Sequence, residues 1–168
     1  DNHDETTIRG KVAGDLEQGD WQVVFGSIEI DNGYDAFSLD NDRNTRSDEP
    51  GSDTQESQYV GINFGLNLNE KIALDASVAY VKSDVDYGYD EDWTFVGFDA
   101  FGYSATDLYS RDVDTVTLDL RMLSRAGAGL AEGKVDWVVG FYALDRKVDL
   151  IRQYTYLENN FSSDFDVD

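Results

Sequence analysis

Gln58-Tyr-Val-Gly-Ile-Asn-Phe-Gly-Leu-Asn67 is the stretch that decides the fold class. Every second residue (Val60, Ile62, Phe64, Leu66) is apolar, and the residues between them (Tyr59, Gly61, Asn63, Gly65, Asn67) are mostly small or polar. Successive side chains of a strand point to opposite faces, so a period of two builds a strand with one apolar and one polar face. After only Leu68-Asn-Glu-Lys71 the pattern restarts, with Ile72, Leu74, Ala76, Val78 and Tyr80 set against Ala73, Asp75, Ser77 and Ala79. Two alternating runs joined so closely form an antiparallel β-hairpin.

Working outward, the pattern recurs on both sides. Val116, Leu118, Leu120 and Met122 alternate with Thr115, Thr117, Asp119 and Arg121. A Gly/Ala-rich turn from Arg125 to Gly133 follows, then Val135, Trp137, Val139, Phe141 and Ala143 against Lys134, Asp136, Val138, Gly140 and Tyr142. Upstream, Ile8, Gly10, Val12 and Gly14 alternate with Arg9, Lys11 and Ala13, and Trp21–Ile30 reads as the return strand. The expectation is an all-β single unit over 1–168, with hairpins near 6–31, 57–83 and 115–145. Acidic connections at 32–56 and 84–114, and an acidic C-terminal loop at 150–168, join or end them.

The charge has the same segmentation. The 168 residues carry 13 Lys+Arg against 35 Asp+Glu, a formal net charge of -22. Residues 31–56 are net -6, 84–113 net -7, 1–6 net -3 and 158–168 net -4, so what lies between is almost neutral. Such a surface repels nucleic acid, which excludes it as a partner. With 40% hydrophobic and 13% aromatic residues the chain is too apolar for a disordered acidic tail. It has no cysteine and one histidine, His3, so disulfides, thiolate sites and His-based triads are out of reach. Neighbouring acids such as Glu91 and Asp92 recur because acids are abundant, and no enzyme constellation emerges. Starting at Asp1 without an initiator Met or signal peptide, the chain reads as a mature, trimmed or internal piece.

Short turns at one end of the hairpins and long connections at the other are the layout of a transmembrane β-barrel, whose spanning strands need roughly 9–11 residues. About six strands are expected here. The alternative is a secreted acidic β-sandwich or self-assembling adhesion module, in which the apolar faces pack on one another. The small, sparsely charged polar faces (Gly61, Asn63, Gly65, Ala73, Ser77, Ala79) suit a lumen better than open water, and Tyr80, Trp137 and Phe141 suit the aromatic girdles of a membrane interface. Asp119, Arg121, Lys134 and Asp136 are expected as lumen-facing charges that pair across strands.

Thr117-Leu-Asp-Leu-Arg-Met-Leu-Ser124, the Gly-rich turn and Val135-Asp-Trp-Val-Val-Gly-Phe-Tyr142 together resemble a hairpin common in TonB-dependent outer-membrane receptors. Tyr59–Asn69 with Ile72–Tyr80 is similar to another barrel hairpin of that family. The resemblance implies a barrel of about 22 strands around an N-terminal plug, in the outer membrane of a Gram-negative cell. It implies import of a scarce nutrient (siderophore, vitamin or glycan) with energy relayed by TonB. The partners would be the lipid bilayer, the remaining barrel and plug sequence or further copies, and a small-molecule ligand. The chain lacks a plug, a TonB-box-like start and a terminal aromatic residue, so it reads as an internal part of such a barrel.

Two groups are candidate binding residues. In 84–114, Tyr87, Tyr89, Trp93, Phe95 and Tyr103, with Phe98, Phe101 and Tyr109, interleave with acids. Rings stack on sugars or flat chelates and attract cations, while carboxylates select charge; the plainer role is packing one loop on another. In 32–56, the spacing of Asp40, Asp42 and Asn44 matches the first ligands of an EF-hand. Thr45 then stands where the turn Gly belongs and Gly51 where the bidentate Glu belongs, so Ca²⁺ competes with a plain solvated acidic loop. No other cofactor is expected.

Overall fold

The computed structural model describes residues 3–33, 37–39, 41–42, 44–49, 51–98, 100 and 102–167. They form one antiparallel sheet of seven strands in sequence order. The strands are β1 (Glu5–Leu16), β2 (Gly19–Asn32), β3 (Ser52–Asn67), β4 (Ile72–Asp90), β5 (Ala105–Ser124), β6 (Val138–Tyr156) and β7 (Asn159–Val167). The all-β, antiparallel expectation holds. Connections alternate between two ends of the sheet: 17–18, 68–71 and 125–137 at the turn end, 33–51, 91–104 and 157–158 at the loop end.

Several boundaries differ from the sequence expectation, for two physical reasons. There are seven strands, where about six were expected. The connection read at 84–114 is strand up to Asp90 and again from Ala105, the one read at 32–56 is strand again from Ser52, and the supposed loop 150–168 is the β6–β7 hairpin. On β4 the acids sit at alternate positions, Asp84 and Asp86 on one face with Val85 and Tyr87 on the other, so the alternation persists with carboxylates in the row that was apolar. High acid density then looks like loop, whereas the period of two is still that of a strand. The return strand of the last hairpin starts at Val138, because Gly127 and Gly133 adopt positive φ and a left-handed turn at Leu130–Gly133 consumes the residues before it.

The register joins the apolar runs into a belt. Val12, Val23, Ile62, Val78, Leu118 and Ala143 are neighbours along one row from β1 to β6, and Trp21, Phe64, Ala76, Leu120 and Phe141 line up from β2 to β6 two residues away. On β4 the belt runs from Ile72 to Tyr80, roughly 26 Å at about 3.3 Å per residue. Past Tyr80 the same face turns acidic. Glu29, Glu56, Asp84, Asp112, Asp149 and Asp166 are directly opposite one another from β2 to β7. Like charges so placed repel; a hydrogen bond shared with Asp84, together with desolvation and its charge, pushes Asp112 above the usual carboxylate range.

None of the described residues packs over the belt. Among the described residues Ala105 is the one buried hydrophobic side chain, at 1% exposure, while Phe64, Val78, Leu120 and Phe141 are exposed. The accessible surface, 11806 Å², compares with roughly 8300 Å² for a compact monomer of this mass. A sheet one layer thick accounts for the excess. Exposure rises where a neighbouring strand is missing: Val139 on β6, whose lower half β7 does not reach, is 67% exposed against 42% for Val78 inside the sheet.

Aromatic rings fill the gaps left by strand glycines. A Cβ on Gly10 would meet the Phe25 ring at 2.5 Å, and one on Gly14 would meet Trp21 at 2.8 Å, so each ring lies across the bare backbone opposite it. Gly19 is constrained by backbone instead: an added Cβ would lie 1.9 Å from the Gly65 carbonyl oxygen. Gly19→Ala is expected to destabilise the sheet by about 1–3 kcal/mol through forced backbone displacement. Gly61→Ala, whose Cβ would find its nearest atom at 3.7 Å, is expected to stay within about 0.5 kcal/mol. Denaturant midpoints of the two variants check this, and equal midpoints contradict it.

Candidate ligand platform at the loop end

The face opposite the belt changes character toward the loop end. Its rows there read Tyr87, Tyr109, Arg152 and Ser163, then Tyr89, Asp107, Tyr154 and Phe161, on neighbouring strands β4 to β7. Tyr87 and Tyr89 therefore belong to β4 and not to a loop.

Asp107 organises this platform. It is 2% exposed and takes both arms of the Arg152 guanidinium, Nε at 2.8 Å and Nη2 at 2.6 Å. The Tyr109 and Tyr89 hydroxyls donate to its Oδ2 at 3.0 and 3.3 Å. Burial alone would raise the Asp107 carboxyl, yet Arg152 and the two tyrosines hold it below the usual range. Burial, then the Asp107 charge, pushes the Tyr89 hydroxyl up to about 12. Arg152 lies 5.4 Å from the Tyr109 ring centre and 5.8 Å from that of Tyr154, and Tyr154 leans on Phe161 with centroids 6.3 Å apart. Rings and a bidentate ion pair hold one another in fixed geometry, which suits recognition of a ligand with an apolar face.

The loop aromatics are placed differently. Trp93 stacks on Phe37 of the connection 33–51, centroids 4.9 Å and planes 6° apart, and Phe37 also tilts against Tyr89 at 5.8 Å. Phe95 meets Phe98 edge-on at 5.6 Å, and Tyr103 leans on Tyr156 at 5.3 Å while donating to Glu91 at 3.3 Å. Trp93, Phe95 and Tyr103 thus each lie against another ring of the loop end. Phe101 lies outside the described residues.

Of the expected polar-face charges, Asp119 and Arg121 do form a pair, along β5 and not across strands, at 3.0 and 2.6 Å. Lys134 and Asp136 precede β6 in the turn, where Asp136 accepts from the Ser124 hydroxyl at 3.2 Å. They drop out of the ladder because the pairing starts only past Trp137.

The EF-hand spacing resolves into local bonding. Asp42 accepts from the Asn44 N–H at 2.9 Å, the Asn44 Nδ2 at 3.1 Å and the Ser38 hydroxyl at 3.1 Å, contacts that hold its carboxyl below the usual range. Asn44 thus directs its backbone N–H and its side-chain Nδ2 at Asp42. Asp40 lies outside the described residues. Among the described residues no group of three or more His, Cys, Asp or Glu side chains is placed to hold a metal ion.

Sequence reasoning passed over Asp107 as a site residue, and Arg152, Tyr154 and Phe161 with it. The alternation in Leu150-Ile-Arg-Gln-Tyr-Thr-Tyr156 carries the signal for two of them. No protein-family model, curated protein or solved structure matches this chain.

Proposed function

We propose that the chain is a wall segment of an outer-membrane β-barrel of the TonB-dependent receptor type. It would bind a scarce nutrient at the loop end and hand it inward without chemical change. The observation that carries this reading is the apolar belt from β1 to β6, one layer thick and of bilayer height, with none of the described residues packed over it. In that setting hydrocarbon covers the belt and the opposite face lines the lumen. The edges of β1 and of lower β6 then require further strands, because an unpaired N–H or C=O costs several kcal/mol in a bilayer. The Tyr87/Tyr109/Arg152/Tyr154 platform would meet the ligand above the membrane, and TonB and a plug would enter with the rest of the receptor.

The cysteine-free background makes a direct test simple. In lipid vesicles, a membrane-impermeant maleimide is expected to label Asn63→Cys, Ser77→Cys and Thr117→Cys while sparing Ile62→Cys, Val78→Cys and Leu118→Cys. Labelling of both sets alike refutes the reading.

One observation favours the second reading, a secreted self-assembling acidic sheet. β4, β5 and β6 have 19, 20 and 19 residues, about twice what a bilayer requires. A chain that stays folded in detergent-free buffer, with belt cysteines that cross-link between copies, identifies that alternative.

A further inference from the structure

The belt face carries its chemistry in layers. Its last apolar row toward the loop end is Phe25, Val60, Tyr80 and Val116, on β2 to β5. Two residues further along each strand, roughly 6.6 Å at about 3.3 Å per residue, the row reads Ile8, Ser27, Gln58, Lys82, Asp114 and Lys147, on β1 to β6. Two residues beyond that is the acid row with Glu29, Glu56 and Asp84. By register Lys82 and Lys147 are the strand cations on this face; those from Arg9 to Arg152 otherwise belong to the opposite one. A hollow of about 410 Å³ opens between the first two rows. Ile8, Phe25, Val60 and Tyr80 give it an apolar floor, and Ser27, Gln58 and Lys82 line the side toward the loop end. The Tyr80 hydroxyl donates to Asp114, which fixes the ring beside the hollow. Among the described residues the side-chain ion pairs belong to Arg121 and Arg152, so the exposed Lys82 ammonium keeps its donors for solvent or a ligand.

Resting on the bilayer placement of the belt proposed above, we infer that this hollow seats a phospholipid whose headgroup joins a phosphate to a primary ammonium. An acyl chain lies across Phe25, Val60 and Tyr80 and continues down the belt. The phosphate meets the Lys82 ammonium, whose flexible stem lets it reach, with the Gln58 amide and Ser27 hydroxyl as further donors. The lipid ammonium then points at Glu56 and Asp84, which are direct neighbours on β3 and β4. Along the strands the order is apolar, cationic, anionic; along such a lipid it is apolar, anionic, cationic, so each layer meets its complement. Carboxylates directly opposite one another repel, and an ammonium between them offsets part of that repulsion. A headgroup with phosphate alone brings only negative charge beneath the acid row and is disfavoured. A trimethylammonium keeps the positive charge but has no N–H to donate to a carboxylate, which forfeits the charge-assisted hydrogen bond.

The test places the full chain in phosphatidylcholine vesicles with traces of chain-spin-labelled phosphatidylethanolamine, phosphatidylcholine or phosphatidylglycerol, and reads the motionally restricted fraction of each by electron paramagnetic resonance. The expected order is ethanolamine, choline, glycerol, with ethanolamine preferred over choline roughly two- to fivefold, the range of exposed charge pairs. In Glu56→Gln/Asp84→Asn the ethanolamine preference is expected to vanish and the glycerol lipid to rise, because Lys82 then holds its phosphate without opposition. Adding Lys82→Gln should cancel that rise, whereas adding Lys11→Gln, the same charge change on the opposite face, should not. Equal restriction of all three lipids by the wild type overturns the site while leaving the belt in hydrocarbon. A preference unmoved by Glu56→Gln/Asp84→Asn, or a rise that survives Lys82→Gln, overturns it as well. No restricted component from any lipid removes the bilayer placement of the belt and the site with it.

Discussion

Val78→Arg is expected to cost about 2–4 kcal/mol of stability in lipid vesicles, a factor of roughly 30 to 1000 in the folded-to-unfolded ratio. Val78 stands mid-belt, flanked by Ile62 on β3 and Leu118 on β5. A guanidinium there has neither counter-ion nor water within the hydrocarbon thickness. The neighbouring Ser77→Arg is the control: its cross-strand partner on β5 is Asp119, so the new cation gains an opposite charge on the polar face and should shift stability by less than about 0.5 kcal/mol. Urea unfolding of both variants from the same vesicles gives the comparison. If Val78→Arg is as mild as Ser77→Arg, the belt faces water and the barrel proposal fails.

The second large effect is expected at the platform. Asp107→Ala removes the acceptor of two guanidinium bonds and two tyrosine bonds at a position 2% exposed. Charge-assisted hydrogen bonds contribute about 1.5–3 kcal/mol, and because the Arg152 side chain is 44% exposed, solvent screening brings the expected loss toward about 2 kcal/mol. Arg152→Ala leaves Asp107 buried with only Tyr89 and Tyr109, which is worse than losing both partners together. The pH signature separates the variants. In the wild type the Asp107 carboxyl lies below its unfolded value, so its contribution is present above about pH 4 and disappears as the pH falls through the lower folded value. Without Arg152, burial is no longer outweighed and acid unfolding should begin at higher pH. The double variant Asp107→Ala/Arg152→Ala should regain part of the stability lost in Arg152→Ala. Strict additivity of the two substitutions, measured by near-UV circular dichroism during acid titration, would contradict the pairing.

Gln58–Asn67 and the three apolar rows that match it carry most of the fold, because belt and opposite face demand opposite chemistry at every step and leave only one register. Legibility fails where both faces are hydrophilic or aromatic. Asp84–Asp90 and Thr106–Asp114 keep the period of two, but with carboxylate in place of Leu or Val, so hydropathy alone cannot distinguish them from loop. The candidate site was half legible for a related reason. Tyr87 and Tyr89 are marked by composition, whereas Asp107 acquires its role only when β5 brings it beside Arg152 on β6, a pairing 45 residues apart in sequence. Trp93 was legible as an aromatic, but its partner Phe37 lies in the other long connection and only the meander brings the two together.

Seven is an odd number, and in a meander that makes β1 and β7 point the same way, from the loop end toward the turn end. A cylinder in which every neighbour is antiparallel needs an even count, as bacterial outer-membrane barrels have. Identical copies joined head to tail would set β7 beside the next β1 with both running in one direction, leaving a parallel seam at each junction. Two copies meeting β1 to β1 restore the antiparallel pattern only by aiming their long connections at opposite sides, an arrangement open to an assembly in water but not to a wall with a single outer surface. Whatever completes this sheet in a membrane must therefore contribute strands of odd number.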